Sequence, residues 1–319
     1  MKAILPTIWN FLKTLRDKPT EFASWEMLIM RAAFAWLVLW SMTKQIPPQS
    51  QAIPNGLALL MDLTWLARPD VWAIAPWIAG VGLLAFVAGV ASPVSLFAPT
   101  WIYVAMGTLV NSQGAIKHYN QLIALALLAF WLASTVWTVA RLVRDRKFSI
   151  MDPTILQRRA VYWVMVSIAA GYVTSAVSKL LATEGMWIFM TPNLAVQLVK
   201  SHLTVFHDTI TTIQTVEYPP LAGFLVEHTW VAPILFGPGL ILELFFFLAL
   251  AGRAWAAIFG LVGIAMHMII ALVMNLVFPE HEALMLIFFV NIPYWVVAAW
   301  VAIRTRRKRP SPTTGVGLK

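Results

Sequence analysis

Apolar residues along this chain form long unbroken stretches rather than narrow stripes. Stretches of about 20 residues, enough to cross a hydrocarbon core of about 30 Å, fall at 25–43, 71–91, 94–111, 119–141, 160–181, 231–251, 254–277 and 283–303. Only Ser92-Pro93 parts the second stretch from the third, so that boundary reads as a tight hairpin or as a break in one helix. Between the fifth and sixth stretches the pattern changes. Across 182–229, Val199, Leu203, Phe206, Ile210 and Ile213 recur at helical spacing, with Thr204, Asp208, Thr211 and Thr212 largely off that stripe. This predicts a helix on the membrane surface, or folded back over 186–216 as a lid, and ended by Pro219-Pro220. Residues 2–18 carry Ile8, Phe11, Leu12 and Leu15 on one flank and Lys13, Arg16 and Lys18 elsewhere, which predicts an interfacial helix rather than a cleavable signal. The predicted fold is all-α. It has an interfacial segment at 1–24, a bundle of about eight transmembrane spans at 25–303 with an amphipathic helix pair on one side, and a basic tail at 304–319.

Composition strengthens this reading. The chain is 60% hydrophobic with a mean hydropathy of +0.76, and its 12% of charged residues is about half the share of a soluble domain. The 16 Trp suit the headgroup interface, where the indole ring is buried and its N–H stays wet. The net charge of +9 has its explanation in orientation signals and anionic lipid, and no basic-aromatic pattern tracks a polynucleotide, so nucleic acid is not an expected partner. With both termini cytoplasmic and eight alternating spans, only Lys44, Arg68, Lys117, Lys179 and Lys200 of the 23 basic residues fall outside. An odd number of spans would expose one of the two terminal basic clusters, so the even count is preferred. The absence of Cys rules out disulfides, thiolate metal sites and Cys nucleophiles.

Ionisable residues in an apolar span are costly, and each is therefore a candidate for function. Lys179 lies near the outer end of the fifth span, where it reads as a snorkelling lysine or, if Gly171, Ser175 and Ser178 face protein, as an inward one. A lysine desolvated there could act as a base. His118, with Tyr119, Asn120 and Gln121, opens the fourth span on the same side, either as a polar helix start or as part of a site that Lys179 can meet. Glu243 and His267 lie in consecutive antiparallel spans at depths about 7 Å apart by helical rise, which predicts a carboxylate–imidazole pair, structural or catalytic. His202, His207, His228 and His281 lie on the outer side without metal-ligand spacing; His202 and His207, five apart, diverge on a helix by about 140°. Arg31 reads as an interface anchor or as a cation paired inside the bundle. No nucleotide-binding glycine loop, HExxH or GxSxG pattern is present, and no internal repeat suggests a transporter.

Taken in order, EMLIMRAAFAWLVLW, KHYNQLIALALLAF, AVYWVMVSIAAGYVTSAVSKLLATEGMW, LILELFFFLAL and GIAMHMIIALVMNLVF resemble the horizontally transferred transmembrane (HTTM) domain. This is the membrane domain of vitamin K-dependent gamma-glutamyl carboxylase and its bacterial relatives. The resemblance covers nearly the whole chain and rests on single residues in order. It implies that Lys179 acts as the base toward a reduced quinone-like molecule, with His118 assisting and Tyr119, Asn120, Tyr172, Trp187, Glu243 and His267 lining the pocket. It further implies a bacterial inner-membrane protein with carboxylase-like or quinone-linked oxidoreductase-like chemistry. The carboxylase binds peptide through a large lumenal portion, in whose place this sequence offers only 182–229 and a short tail, so peptide carboxylation is not expected. The alternative is a non-enzymatic accessory factor that matures, exports or assembles a membrane or secreted protein partner.

Overall fold

The structure is a computed structural model describing residues 21–48, 50–114, 118–146, 148–208 and 219–307. The expected interfacial helix at 2–18, the end of the lid at 209–216 and the basic tail from 308 onward lie outside the described residues. Among the described residues there is no strand, only an isolated bridge between Val90 and Met151. Seven helices are long and apolar enough to cross a membrane, so the chain is an integral membrane protein. They are α1 (Ser24–Thr43), α2 (Pro69–Val87), α3 (Ser92–Asn111), α4 (Tyr119–Asp145), α5 (Thr154–Ala182), α9 (Arg253–Met274) and α10, which begins at Pro279 and runs to Arg304. Between α5 and α9 come α6 (Leu194–Asp208), α7 (Pro220–Glu227) and α8 (Val231–Leu244).

The expected sixth span at 231–251 is not one continuous α-helix. Helix α8 stops at Leu244 and the chain goes on as a tighter 3-10 segment, Phe246–Ala251. Pro238 sits inside α8, where it removes one backbone hydrogen bond and weakens the helix locally. Helices α7 and α8 together are long enough to span, but they meet at 99°. Among the described residues there are therefore seven helices able to span, or eight if this bent pair crosses.

The boundary at Ser92-Pro93 is a true hairpin. Helix α2 ends at Val87, Gly89 and Ala91 take positive φ angles of 79° and 27°, and α3 doubles back against α2. Gly82 makes the close approach possible, because a Cβ there would lie 2.4 Å from the Ser95 carbonyl oxygen. The Trp131 indole of α4 donates to the Pro93 carbonyl at 3.0 Å and closes the hairpin from the side. At mid-bundle, Phe34, Phe130 and Phe288 meet at centroid distances of 5.4 to 5.9 Å, so α1, α4 and α10 share one aromatic core.

The bundle has two unlike ends. At one, the N-terminal ends of α1, α5 and α9 meet, and the cations Arg141, Arg144, Arg146, Arg158, Arg253 and Arg304 gather there or close by. We call this the basic end. Glu26, 3% exposed, accepts hydrogen bonds there from Arg253 Nη1 at 2.8 Å, Arg253 Nη2 at 3.2 Å, Asn291 Nδ2 at 2.9 Å and the Ala23 N–H at 3.1 Å. Arg31 is paired inside the bundle rather than anchored at the surface: it donates to the Phe86 carbonyl at 3.3 Å and is electrostatically coupled to buried Asp152. The amphipathic helix predicted between the fifth and sixth spans is α6. It folds back onto the bundle, burying Ala195 and Leu198 against Leu225, Ala232, Phe236 and Met274, with Val199 packed beside them.

Candidate functional site

The end opposite the basic one holds the candidate polar residues, and α5 presents three of them on a single face. Tyr172, Ser175 and Lys179 are spaced i, i+3 and i+7, so they line up along the helix. Their face meets α8 and α9. Gly171 is turned elsewhere: a Cβ there would come within 2.8 Å of Leu122 on α4, and Ser178 is exposed. The expected small-residue face is therefore divided, and it is the Tyr-Ser-Lys face that points inward.

Lys179 does not snorkel freely. Its Nζ lies 2.5 Å from Glu243 Oε2, which also accepts from Ser175 Oγ at 3.4 Å. The Lys179 side chain is 33% exposed and that of Glu243 only 9%, so the carboxylate is the deeper member of the pair. On its other side the ammonium stands 5.4 Å from the Trp187 ring centroid, within cation–π range. Trp187 opens a short helical turn, Trp187–Met190, that packs on α8.

The expected Glu243–His267 pair is absent among the described residues. Each side chain takes a partner on α5 instead. His267 Nε2 is 2.8 Å from the Tyr172 hydroxyl, and Tyr172 stacks on Phe246 at 4.5 Å. The similar depth expected from helical rise is consistent with both contacts, but α5 lies between the two groups and supplies a lysine and a phenol at the right spacing. His267 continues toward α10: its ring is 5.2 Å from Phe278 and 5.4 Å from His281. Both imidazoles are buried, 5% and 8% exposed, and the Nδ1 atom of each has no hydrogen-bond partner. A buried polar atom left unpaired costs about 1–3 kcal/mol, so these two ring nitrogens are the natural contacts for a polar group of a bound molecule.

His118 stands apart from Lys179. It is exposed, its Nδ1 is 3.1 Å from the Gln121 side-chain oxygen, and its electrostatic neighbour is His281. Among the described residues no hydrogen bond or ion pair joins it to Lys179, and the side chain of Tyr119 lies outside the described residues. Asn120 is buried, but it caps no helix: its Oδ1 lies 3.3 Å from both Ser41 Oγ and Tyr103 OH. Pattern reading passed over Ser41, Gln45 and Tyr103, and placed His281 only among the outer histidines. Their one signal in the sequence is polarity inside or beside an apolar run, which many exposed residues share.

Of the other histidines, His228 is exposed and stacked on Phe224 at 4.6 Å, and the side chain of His207 lies outside the described residues. Among the described residues, no three of His, Asp and Glu are placed to hold a metal ion. The cluster thus runs from Trp187 and Lys179 through Glu243 and Tyr172 to His267 and His281, on α5, α8, α9 and α10. It can donate hydrogen bonds to an acceptor and exchange protons, and it lies within the apolar spans. No family profile matches this sequence, and no curated protein or solved structure matches it.

Proposed function

We propose that this membrane protein binds a lipid-soluble molecule with a hydrogen-bond-accepting head, of the reduced quinone type, between α5, α9 and α10. The observation that carries this reading is the unpartnered Nδ1 of buried His267, whose Nε2 is already engaged by Tyr172, beside the Lys179–Glu243 pair. With the phenol donating to Nε2, Nδ1 carries the proton and can donate to a ligand oxygen. Lys179 exchanges a proton with the ligand hydroxyl, and Glu243 takes up or returns that proton across their contact. The resemblance to the HTTM domain points to the same lysine as base, and it supports placing the histidine end on the non-cytoplasmic side of a bacterial inner membrane. In that orientation the basic end faces the cytoplasm, as the distribution of Lys and Arg favours.

The test is binding of a short-tailed naphthoquinol to the purified full chain in lipid nanodiscs. His267→Ala should weaken binding roughly tenfold, the worth of one hydrogen bond to a buried donor. Lys179→Ala should leave binding within a few-fold and abolish proton exchange with the bound quinol. Unchanged affinity in His267→Ala would refute the reading.

One observation favours a second reading, that of an accessory factor. Phe189 and Val196 are 71% and 61% exposed, and Met186 and Met190 lie exposed nearby, so an apolar row stands beside Trp187. A protein partner covering this row would be lost on replacing Phe189 and Val196 with Ser, with Lys179→Ala harmless to the complex.

A further inference from the structure

A second group of buried polar side chains lies where the C-terminal end of α1 meets α3, α4 and the start of α10. Ser41, Tyr103 and Asn120 are at most 2% exposed, and Gln45 is 7% exposed. Ser41 Oγ and Tyr103 OH are 2.8 Å apart, and each lies 3.3 Å from Asn120 Oδ1. Two hydroxyl protons can fill two of these three contacts at a time, which is enough to give each of the three oxygens a partner. The carboxamide nitrogen of Asn120 is not served: buried, with two protons to donate, it has no partner among the described residues. Gln45 follows one turn after Ser41 and is more isolated, because neither its Oε1 nor its Nε2 is hydrogen-bonded. Its backbone is nonetheless fixed, with its carbonyl accepting from the Trp72 indole at 3.2 Å.

The start of α10 closes this corner. Buried Glu280 is electrostatically coupled to Lys44, and His281 to His118, so Pro279-Glu280-His281 spans from the end of α1 to the start of α4. A folded chain gains nothing by burying a whole carboxamide unpaired, since replacing such a group with an apolar one of the same shape is neutral or stabilising. Turning the Asn120 amide over would only exchange an unpaired donor for an unpaired acceptor. The unpaired set is rich in donors: two N–H of Asn120 and two of Gln45, against the single oxygen of Gln45. The corner also lies at the end of a 20-residue helix, about 30 Å along its axis, which is the depth where a bilayer passes from hydrocarbon to polar headgroup.

We propose that Gln45 and Asn120 form a second binding site, separate from the Lys179 cluster, for the carbonyl head of an amphiphilic lipid. The carbonyl oxygen accepts from the two carboxamides and the acyl chain leaves into the bilayer beside α1. A free fatty acid and a bilayer lipid ester both offer this group. This inference does not rest on the quinone-like reading.

The experiment uses the full chain, stripped of lipid in detergent, with carbonyl-13C oleic acid in one arm and carbonyl-13C methyl oleate in the other. Infrared difference spectra should show a bound 13C carbonyl band displaced to lower frequency. A band with the acid alone assigns the site to a free fatty acid, and one with the ester assigns it to a lipid ester. Gln45→Met and Asn120→Leu should each reduce the bound band roughly tenfold, for one to two lost hydrogen bonds. Lys179→Met should keep it. The ligand-free melting temperature of Gln45→Met should equal or exceed that of the unaltered chain, because the amide it replaces is unpaired. The proposal is overturned if neither probe gives a displaced band, if the band survives both carboxamide substitutions or vanishes in Lys179→Met, or if Gln45→Met melts lower without ligand.

Discussion

Replacing Lys179 with Met tests whether the Lys179–Glu243 contact is a coupled ion pair or two independent polar groups. Neutral polar pairs between membrane helices contribute only about 0.6 kcal/mol on average. A charged pair should differ, because a lone charge at hydrocarbon depth costs about 2.5–3.5 kcal/mol on insertion scales. Without Lys179 the Glu243 carboxylate, 9% exposed, keeps only Ser175 at 3.4 Å. Lys179→Met should therefore cost about 3 kcal/mol. The reverse substitution is milder. Lys179 is 33% exposed and can turn its ammonium to water, so Glu243→Leu should cost about 1 kcal/mol. The double variant leaves no unpaired charge and should return to within about 1 kcal/mol of the unaltered chain. Denaturation of the purified protein by sodium dodecyl sulfate, followed by helical circular dichroism, measures all three. A double variant whose loss equals the sum of the singles would refute the coupled buried pair.

Three further outcomes follow from the geometry. Arg253→Met strands Glu26, a 3% exposed carboxylate, and should cost about 3–5 kcal/mol by the same unfolding assay. Gly82→Ala sets a Cβ 2.4 Å from the Ser95 carbonyl and should cost at least about 1–3 kcal/mol; a melting temperature unchanged from the parent would show that α2 and α3 are less closely packed. The third is a pH dependence at the turn before α5, where burial holds the Asp152 carboxyl above its ordinary value of 3.8, against the opposing hydrogen bonds of Ser92 and the charge of Arg31. The folded chain therefore binds this proton more tightly than the unfolded one, and Asp152 adds stability as pH falls through its folded value, in full below its unfolded value. Asp152→Asn should remove that part of the melting-temperature rise on acidification, and coincident pH profiles would contradict it.

Pattern reading located the spans well, because a run of about 20 apolar residues has few other solutions. It did not foresee that the sixth bends, where the α-helix gives way after Leu244 to a 3-10 segment within a stretch of uniform hydropathy. It left Lys179 open between a snorkelling and an inward orientation, and it misassigned the partners of Glu243 and His267. Depth along a helix can be counted from sequence, whereas rotation about its axis depends on which neighbour packs where. Tyr172 and Lys179 stand on α5 at the spacing that lets each meet a different helix, and nothing in the run GYVTSAVSK says which. The corner at Gln45 was missed for a related reason. A glutamine just past a helix end looks like any solvated turn residue until the start of α10 is seen to cover it.

What separates the polar groups of this bundle is how completely they are satisfied. At the basic end, Glu26 accepts from two guanidinium nitrogens, an amide and a backbone N–H, and Asp152 accepts from the backbone and side chain of Ser92. A carboxylate with its partners supplied from neighbouring helices needs no ligand, and it can hold those helices together unaided. At the opposite end, His267, His281, Asn120 and Gln45 are equally buried, yet each leaves at least one polar atom unpaired. Both ends lie in one chain under one solvent constraint, so burial alone cannot account for the difference. Of the nine unpaired buried side-chain atoms among the described residues, five belong to these four side chains. The other four, on Arg31, Ser95, Thr100 and Thr135, fall one to a side chain along the rest of the bundle, so the end opposite the basic one is where reserve hydrogen-bonding capacity for bound molecules is greatest, and Gln45 is the one side chain there with both polar atoms unpaired.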